Sequence, residues 1–113
     1  MNHPAAPLEI DCRTVQQWRD RSEPFLFLDC RERDEHATAR IEGALLIPMG
    51  ELPARVGEVE PHRNAPIVVH CHHGGRSLRV AHWLRQQGFA EARSMAGGID
   101  QWAQEIDPTM ARY

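Results

Sequence analysis

Apolar residues fall along this chain in short unbroken runs, separated by longer stretches in which they recur every third or fourth position. Phe25-Leu26-Phe27-Leu28 follows Pro24 and runs into Asp29, Ala44-Leu45-Leu46-Ile47 is closed by Pro48, and Ile67-Val68-Val69 is β-branched throughout. Short runs without polar alternation suit strands buried on both faces of a parallel sheet. Leu8-Glu9-Ile10 and Ala92 to Met95 bring the strand candidates to about five.

Helical spacing lies between these runs. Val15 and Trp18 follow Asp11 and Thr14, either of which suits an N-cap. Leu52, Val56 and Val59 recur at i, i+4, i+7 and predict a second helix. Val80, Ala81 and Leu84 form the inner stripe of a third, with Gly88 as its C-terminal stop. Ile99, Trp102, Ala103 and Ile106 predict the last, ended by Asp107-Pro108. Trp18, Trp83 and Trp102 lie near these stripes and read as packing residues. Strand–helix alternation predicts an α/β fold, a doubly wound and mostly parallel sheet with helices on both faces. In such folds ligands sit beyond the carboxyl ends of the strands, where Asp29 and Cys71 both fall.

At 113 residues the expectation is one domain over residues 1–113, with residues 1–7 a flexible N-terminus. A chain of this length buries a core without disulfide staples. The net charge of −3 points away from nucleic acid and from anionic membranes as partners. All thirteen basic residues are arginine, which excludes a Schiff-base lysine and a phosphate-loop lysine. No apolar run approaches the roughly 18 residues of a spanning helix, and Met1 to Leu8 lacks the pattern of a secretory signal. Three cysteines are too few, and odd in number, for a stapled secreted domain, so a reducing cytoplasm is expected.

The chemistry concentrates in Pro66-Ile67-Val68-Val69-His70-Cys71-His72-His73-Gly74-Gly75-Arg76-Ser77. A buried strand delivers a thiol to a tight loop that opens a helix at Arg76. The first N–H groups of a helix lack intrahelical partners, and the dipole adds positive potential there. A thiol in that field ionises easily, with a pKa of roughly 3.5–7.5, which makes Cys71 a candidate nucleophile. Gly74 and Gly75 let successive amides converge on one point. Arg76 suits either recognition of an anionic substrate or pairing with a carboxylate at the loop base. Asp29 and Arg31 read as a supporting ion pair. His72 and His73 either add positive potential and move a proton at the loop mouth or simply face solvent. No second ligand pair accompanies His70, Cys71, His72 and His73, so no metal site is expected. Cys12 and Cys30 read as bystanders, since a resolving role needs a proximity to Cys71 that spacing does not supply.

Four blocks occur in register: Leu28-Asp29-Cys30-Arg31-Glu32, Ile41-Glu42-Gly43-Ala44 with Ile47-Pro48, His70 to Ser77, and Gly97-Gly98-Ile99-Asp100-Gln101-Trp102. Together they closely resemble a single-domain rhodanese, over nearly the whole chain from about Leu8 to Tyr113. The resemblance implies a sulfurtransferase without metal or organic cofactor. It makes Cys71 the carrier of a persulfide and His72, His73, Gly74, Gly75, Arg76 and Ser77 the cradle around the outer sulfur. It also implies a small-molecule sulfur donor such as thiosulfate, and a thiophilic acceptor, either cyanide or a thiol that includes a protein thiol or persulfide partner. A sulfur-relay or docking module with little thiosulfate turnover is the alternative.

Cysteine phosphatases, some of which share this fold, carry five residues between cysteine and arginine. Cys71 and Arg76 are separated by four, and the shorter loop looks like the sulfur-handling version. Two departures stand out: Ala39-Arg40 replaces the usual glycine-histidine, and Cys30 replaces a more usual valine.

Overall fold

A computed structural model describes residues 7–113. The flexible N-terminus expected over 1–7 lies outside them except for Pro7, which is exposed and accepts a hydrogen bond from Arg85 Nη2 at 2.9 Å. The strands are β1 (Glu9–Ile10), β2 (Leu26–Asp29), β3 (Leu45–Leu46), β4 (Ile67–His70) and β5 (Ala92–Met95). They form a sheet of order β1-β5-β4-β2-β3 in which every pairing is parallel. The helices are α1 (Cys12–Asp20), α2 (Arg33–Thr38), α3 (Leu52–Arg55), α4 (Gly75–Gln86) and α5 (Gly98–Glu105).

Alternation along the central strands divides the interior in two. Phe27 and Val68 face a core built with Val15 of α1 and Ile99 and Trp102 of α5. Leu28, Ile67 and Val69 face the opposite core, with Leu52 of α3 and Val80 and Leu84 of α4. Both faces of β4 are therefore covered, which is why its sequence is apolar at successive positions. Each fully buried aliphatic or aromatic side chain contributes roughly 1.5–3 kcal/mol of transfer free energy.

Asp11 caps α1, its carboxylate accepting from the Thr14 amide at 2.7 Å. Gly88 ends the segment after α4 at φ +97°, a left-handed conformation that a Cβ would strain. Leu52 and Val59 are buried as their spacing predicts, but the helix expected across them does not run through. It stops at Arg55 and gives way to 3₁₀ turns over Val56–Glu58 and Glu60–His62. Gly57 weakens the helix there, and Pro61 offers no amide to continue it.

Helix α2 has no apolar stripe and buries none of its residues, so periodicity does not reveal it. Its local signal is the reciprocal capping pair of Glu32 and Glu35, with Asp34 and Glu35 in the first turn.

The chain leaves β2 toward β3 on one side and leaves β4 toward β5 on the other. The crevice beyond the carboxyl ends of β2 and β4 is therefore the switch point of the sheet, where open α/β folds bind ligands.

Candidate active site

Residues 71–74 occupy that crevice, and α4 begins at Gly75. Cys71 is buried, at 1% exposure. Its sulfur accepts hydrogen bonds from the amides of Gly74 at 3.1 Å and Ser77 at 3.3 Å, and the Ser77 hydroxyl lies 3.4 Å away. Those amides belong to the N-cap and third residues of α4, so the sulfur sits where a helix N-terminus takes an anion. The Ser77 hydroxyl also lies 3.2 Å from the Gly74 carbonyl and is positioned by the Ser94 hydroxyl of β5 at 2.7 Å.

Hydrogen bonding from the Cys30 thiol, then from the Ser77 hydroxyl and the Ser77 and Gly74 amides, lowers the Cys71 pKa to about 4 despite the opposing effect of burial. Cys71 is thus a thiolate at neutral pH. Its alkylation by iodoacetamide is expected to hold its neutral rate well into mild acid and to fall as pH passes through about 4. A thiol near the ordinary value of about 8.5 loses that rate already below neutrality. Glu35 is held at about 2, chiefly by Arg76, so it stays ionised over this range.

The two loop glycines have different roles. Gly74 lies at φ +106°, and a Cβ there would meet the Gly97 amide nitrogen at 3.2 Å. Gly75 has open space around its Cβ position. A third glycine, Gly98, is the tightest of the set. A Cβ on it would stand 2.5 Å from the carbonyl oxygens of both Cys71 and His72, at φ +62°.

This close approach lets the first turn of α5 hold the loop from below, with Ile99 N donating to the Cys71 carbonyl at 2.8 Å and Asp100 N to the His72 carbonyl at 3.1 Å. Gly98→Ala is expected to cost about 2–3 kcal/mol and to raise the Cys71 pKa, because strain and overpacking coincide there. Gly75→Ala is expected to stay within about 0.5 kcal/mol. Urea midpoints of the two variants check the contrast.

Arg76 makes a two-pronged ion pair with Glu35 of α2, at 2.7 and 2.8 Å. The pairing at the loop base is one of the two roles open for it, and it ties α2 to α4. Arg31 and Asp29 form an ion pair in which both side chains have zero exposure, with bonds of 2.9 and 2.7 Å. Arg31 also donates to the Ala39 carbonyl at 2.7 Å, the Glu35 carbonyl at 3.2 Å and the Tyr113 hydroxyl at 2.9 Å. The Ala39 carbonyl thus has a defined structural role at one of the two sequence departures.

The histidines diverge. His70 packs edge-on against Phe27 on the far side of the sheet, and burial keeps it neutral, at a pKa of about 4. His72 is half-buried and stacked against the Tyr113 ring, 3.9 Å away and nearly parallel to it, and the ring of the exposed His73 lies 3.8 Å from that of His72.

Glu35, Tyr113, Ser94 and Gly98 are the site's unforeseen members. Glu35 is 41 residues from Arg76 and Tyr113 is 82 from Arg31. The local signals were the Glu32/Glu35 spacing and, for Gly98, its place in the Gly97-Gly98 block. Cys12 lies in the opposite core, where burial pushes its thiol up to about 12. Cys30 lies beside Cys71, not apart from it.

A parallel α/β sheet that presents a thiol in an amide-lined loop at its switch point is an arrangement suited to cysteine nucleophilic chemistry. Residues 11–105 match the model of the rhodanese-like domain, and the chain belongs to that family. It is 34% identical over 103 residues to a sulfurtransferase of Allochromatium vinosum, covering 91% of this chain and 94% of the relative. It is 32% identical over 109 residues to the adenylyltransferase and sulfurtransferase MOCS3-2 of Zea mays, matching 92% of this chain but only 23% of that longer protein. Among solved structures, the human single-domain sulfurtransferase TSTD1 aligns with a TM-score of 0.74 at 25% identity, over 88% of this chain and 98% of its own. Family membership and these relatives support sulfur transfer as the general chemistry. Among the described residues, no helix is long and apolar enough to cross a membrane.

Proposed function

We propose that this protein transfers sulfane sulfur through a persulfide on Cys71. The observation that carries the reading is the Cys71 sulfur receiving two amide hydrogen bonds at the N-terminus of α4. In the first half-reaction the thiolate attacks the outer sulfur of thiosulfate or of a persulfide donor. The S–S bond of the donor breaks, and sulfite or a thiolate leaves with the electron pair. The new persulfide is anionic, and the amides of Gly75 and Arg76, which open α4 without intrahelical acceptors, suit its outer sulfur. In the second half-reaction a thiol or cyanide attacks that outer sulfur, and the Cys71 thiolate departs into the bonds that held it before. Two facile displacements replace one difficult transfer.

Arg76 is committed to Glu35, so donor selection falls to the loop amides and to His72 and His73 at the mouth. The four-residue spacing between Cys71 and Arg76 supports a cradle for one sulfur, not for a tetrahedral phosphate. Hydrolysis of p-nitrophenyl phosphate is accordingly expected to be nil, and Cys71-dependent turnover in that assay overturns the preference for sulfur.

A relay role is favoured by one comparison. The putative sulfur carrier protein YrkF of Bacillus subtilis is 34% identical over 94 residues, and the match spans 83% of this chain but 50% of that protein. The deciding experiment is intact-mass spectrometry after thiosulfate and then cyanide. A one-sulfur gain that cyanide removes as thiocyanate supports thiosulfate turnover. A gain only from glutathione persulfide moves the reading to the relay, and no gain from either donor defeats it.

A further inference from the structure

The two thiols of the inner crevice are paired by the sheet itself. The β2–β4 ladder ends with Asp29 opposite His70, and the Cys30 amide donates to the His70 carbonyl at 3.1 Å, which carries the pairing one position further. Cys30 and Cys71 thus stand opposite each other on adjacent strands. Alternation turns both side chains to the same face, where they join one buried cluster at 1% exposure each. Adjacent strands lie about 4.8 Å apart, inside the roughly 4.4–6.8 Å Cα separation that a disulfide spans.

We propose that Cys30 is a resolving thiol that converts the Cys71 persulfide into a Cys30–Cys71 disulfide and free hydrosulfide. The proposal rests on the persulfide reading above. Cys30 Sγ attacks the inner sulfur, Cys71 Sγ. The Cys30–Cys71 bond forms, the bond from Cys71 to the outer sulfur breaks, and the outer sulfur leaves with the electron pair. It takes the Cys30 proton with it, so that Cys71–S–S⁻ and Cys30–SH give the disulfide and HS⁻ with atoms and charge conserved. No outside oxidant enters, because the sulfane sulfur is the group reduced and the two cysteine sulfurs are oxidised. The loop amides that face the persulfide face the departing anion equally. An external dithiol then restores both cysteines.

Approach from within distinguishes this route from ordinary transfer. An acceptor from solvent reaches the outer sulfur at the mouth, whereas Cys30 reaches the inner sulfur from the core side. Its hydrogen bond to the neighbouring Cys71 thiolate, and then burial, raise the Cys30 pKa, so Cys30 stays a thiol while Cys71 is unloaded. Formation of the persulfide removes that negative charge from the inner sulfur and makes it electrophilic.

The test loads the protein with thiosulfate, removes the excess quickly, and follows intact mass and released sulfide without added thiol. Wild type is expected to pass from the one-sulfur adduct to a species lighter than the reduced protein by two hydrogens, with one hydrosulfide released per loaded chain. Peptide mapping is expected to link Cys30 with Cys71. Cys30→Val and Cys30→Ser, an apolar and a polar replacement of similar volume, keep the Ser77 and Gly74 bonds to the Cys71 sulfur but not the one from the Cys30 thiol. Both are therefore expected to take up sulfur more slowly than wild type and then to keep it until cyanide is added. If wild type and both variants hold the adduct equally, the resolving role is overturned while the persulfide reading stands. If none of the three takes up sulfur from thiosulfate or glutathione persulfide, the persulfide reading fails and the resolving role falls with it.

Discussion

Cys71→Ser is expected to eliminate sulfur transfer to cyanide, down to the rate without protein. Serine keeps the side-chain volume and one acceptor for the Gly74 and Ser77 amides, so the loop is expected to hold its shape. What disappears is the anion, because an alcohol does not ionise near neutrality even where hydrogen bonds from Cys30, Ser77 and Gly74 lower a thiol to about 4. The variant's urea midpoint should stay close to that of the parent while thiocyanate production vanishes. Residual transfer that tracks Cys30 would instead show that the sulfur is carried elsewhere in the crevice.

The largest loss of stability is expected from Arg31→Met. Methionine matches the length of the stem, but Asp29 is then left fully buried with neither of its guanidinium bonds. Breaking a buried pair by removing one partner costs about 3–5 kcal/mol, a large share of the roughly 5–15 kcal/mol that holds a domain together. The loss should depend on pH in a definite sense. In the parent, the bonds from Arg31 hold the Asp29 pKa below its ordinary value even against burial, so the pair's contribution is present above that value and is lost as pH falls. In the variant, burial acts unopposed by Arg31 and raises the Asp29 pKa. Its folded form is then favoured at low pH and weakened as pH rises through the raised value. The gap between parent and variant is therefore expected to narrow on acidification, as urea titrations at neutral and acid pH will read directly.

The strands were legible because β2 and β4 lie between two helical layers. Burial on both faces leaves no polar alternation, and Ile67-Val68-Val69 shows this in three letters. The loop was legible because its chemistry is local, within Cys71 to Ser77. What escaped is either non-local or lacks an apolar period. Helix α2 is held by charge and capping and not by burial, so the 3.6-residue rhythm is silent there. The α3 region carries the right apolar spacing without one continuous helix, since the spacing records which residues are buried and not the backbone that buries them. The partner of Arg76 is a carboxylate 41 residues away. Cys30 gave no chain-local hint of proximity to Cys71, because register between β2 and β4 is a property of the assembled sheet.

The carbonyls of Cys71 and His72 are held by amides of α5, a helix synthesised after the loop it supports. The ladder opposite comes from β2, synthesised well before. A nascent or partly opened chain lacking either flank carries Cys71 as an ordinary thiol, mostly protonated at neutral pH. Reactivity therefore arrives only with completed folding, which shields the cysteine from oxidants and stray persulfides during biosynthesis and makes its alkylation rate a reporter of whether the final helix has docked.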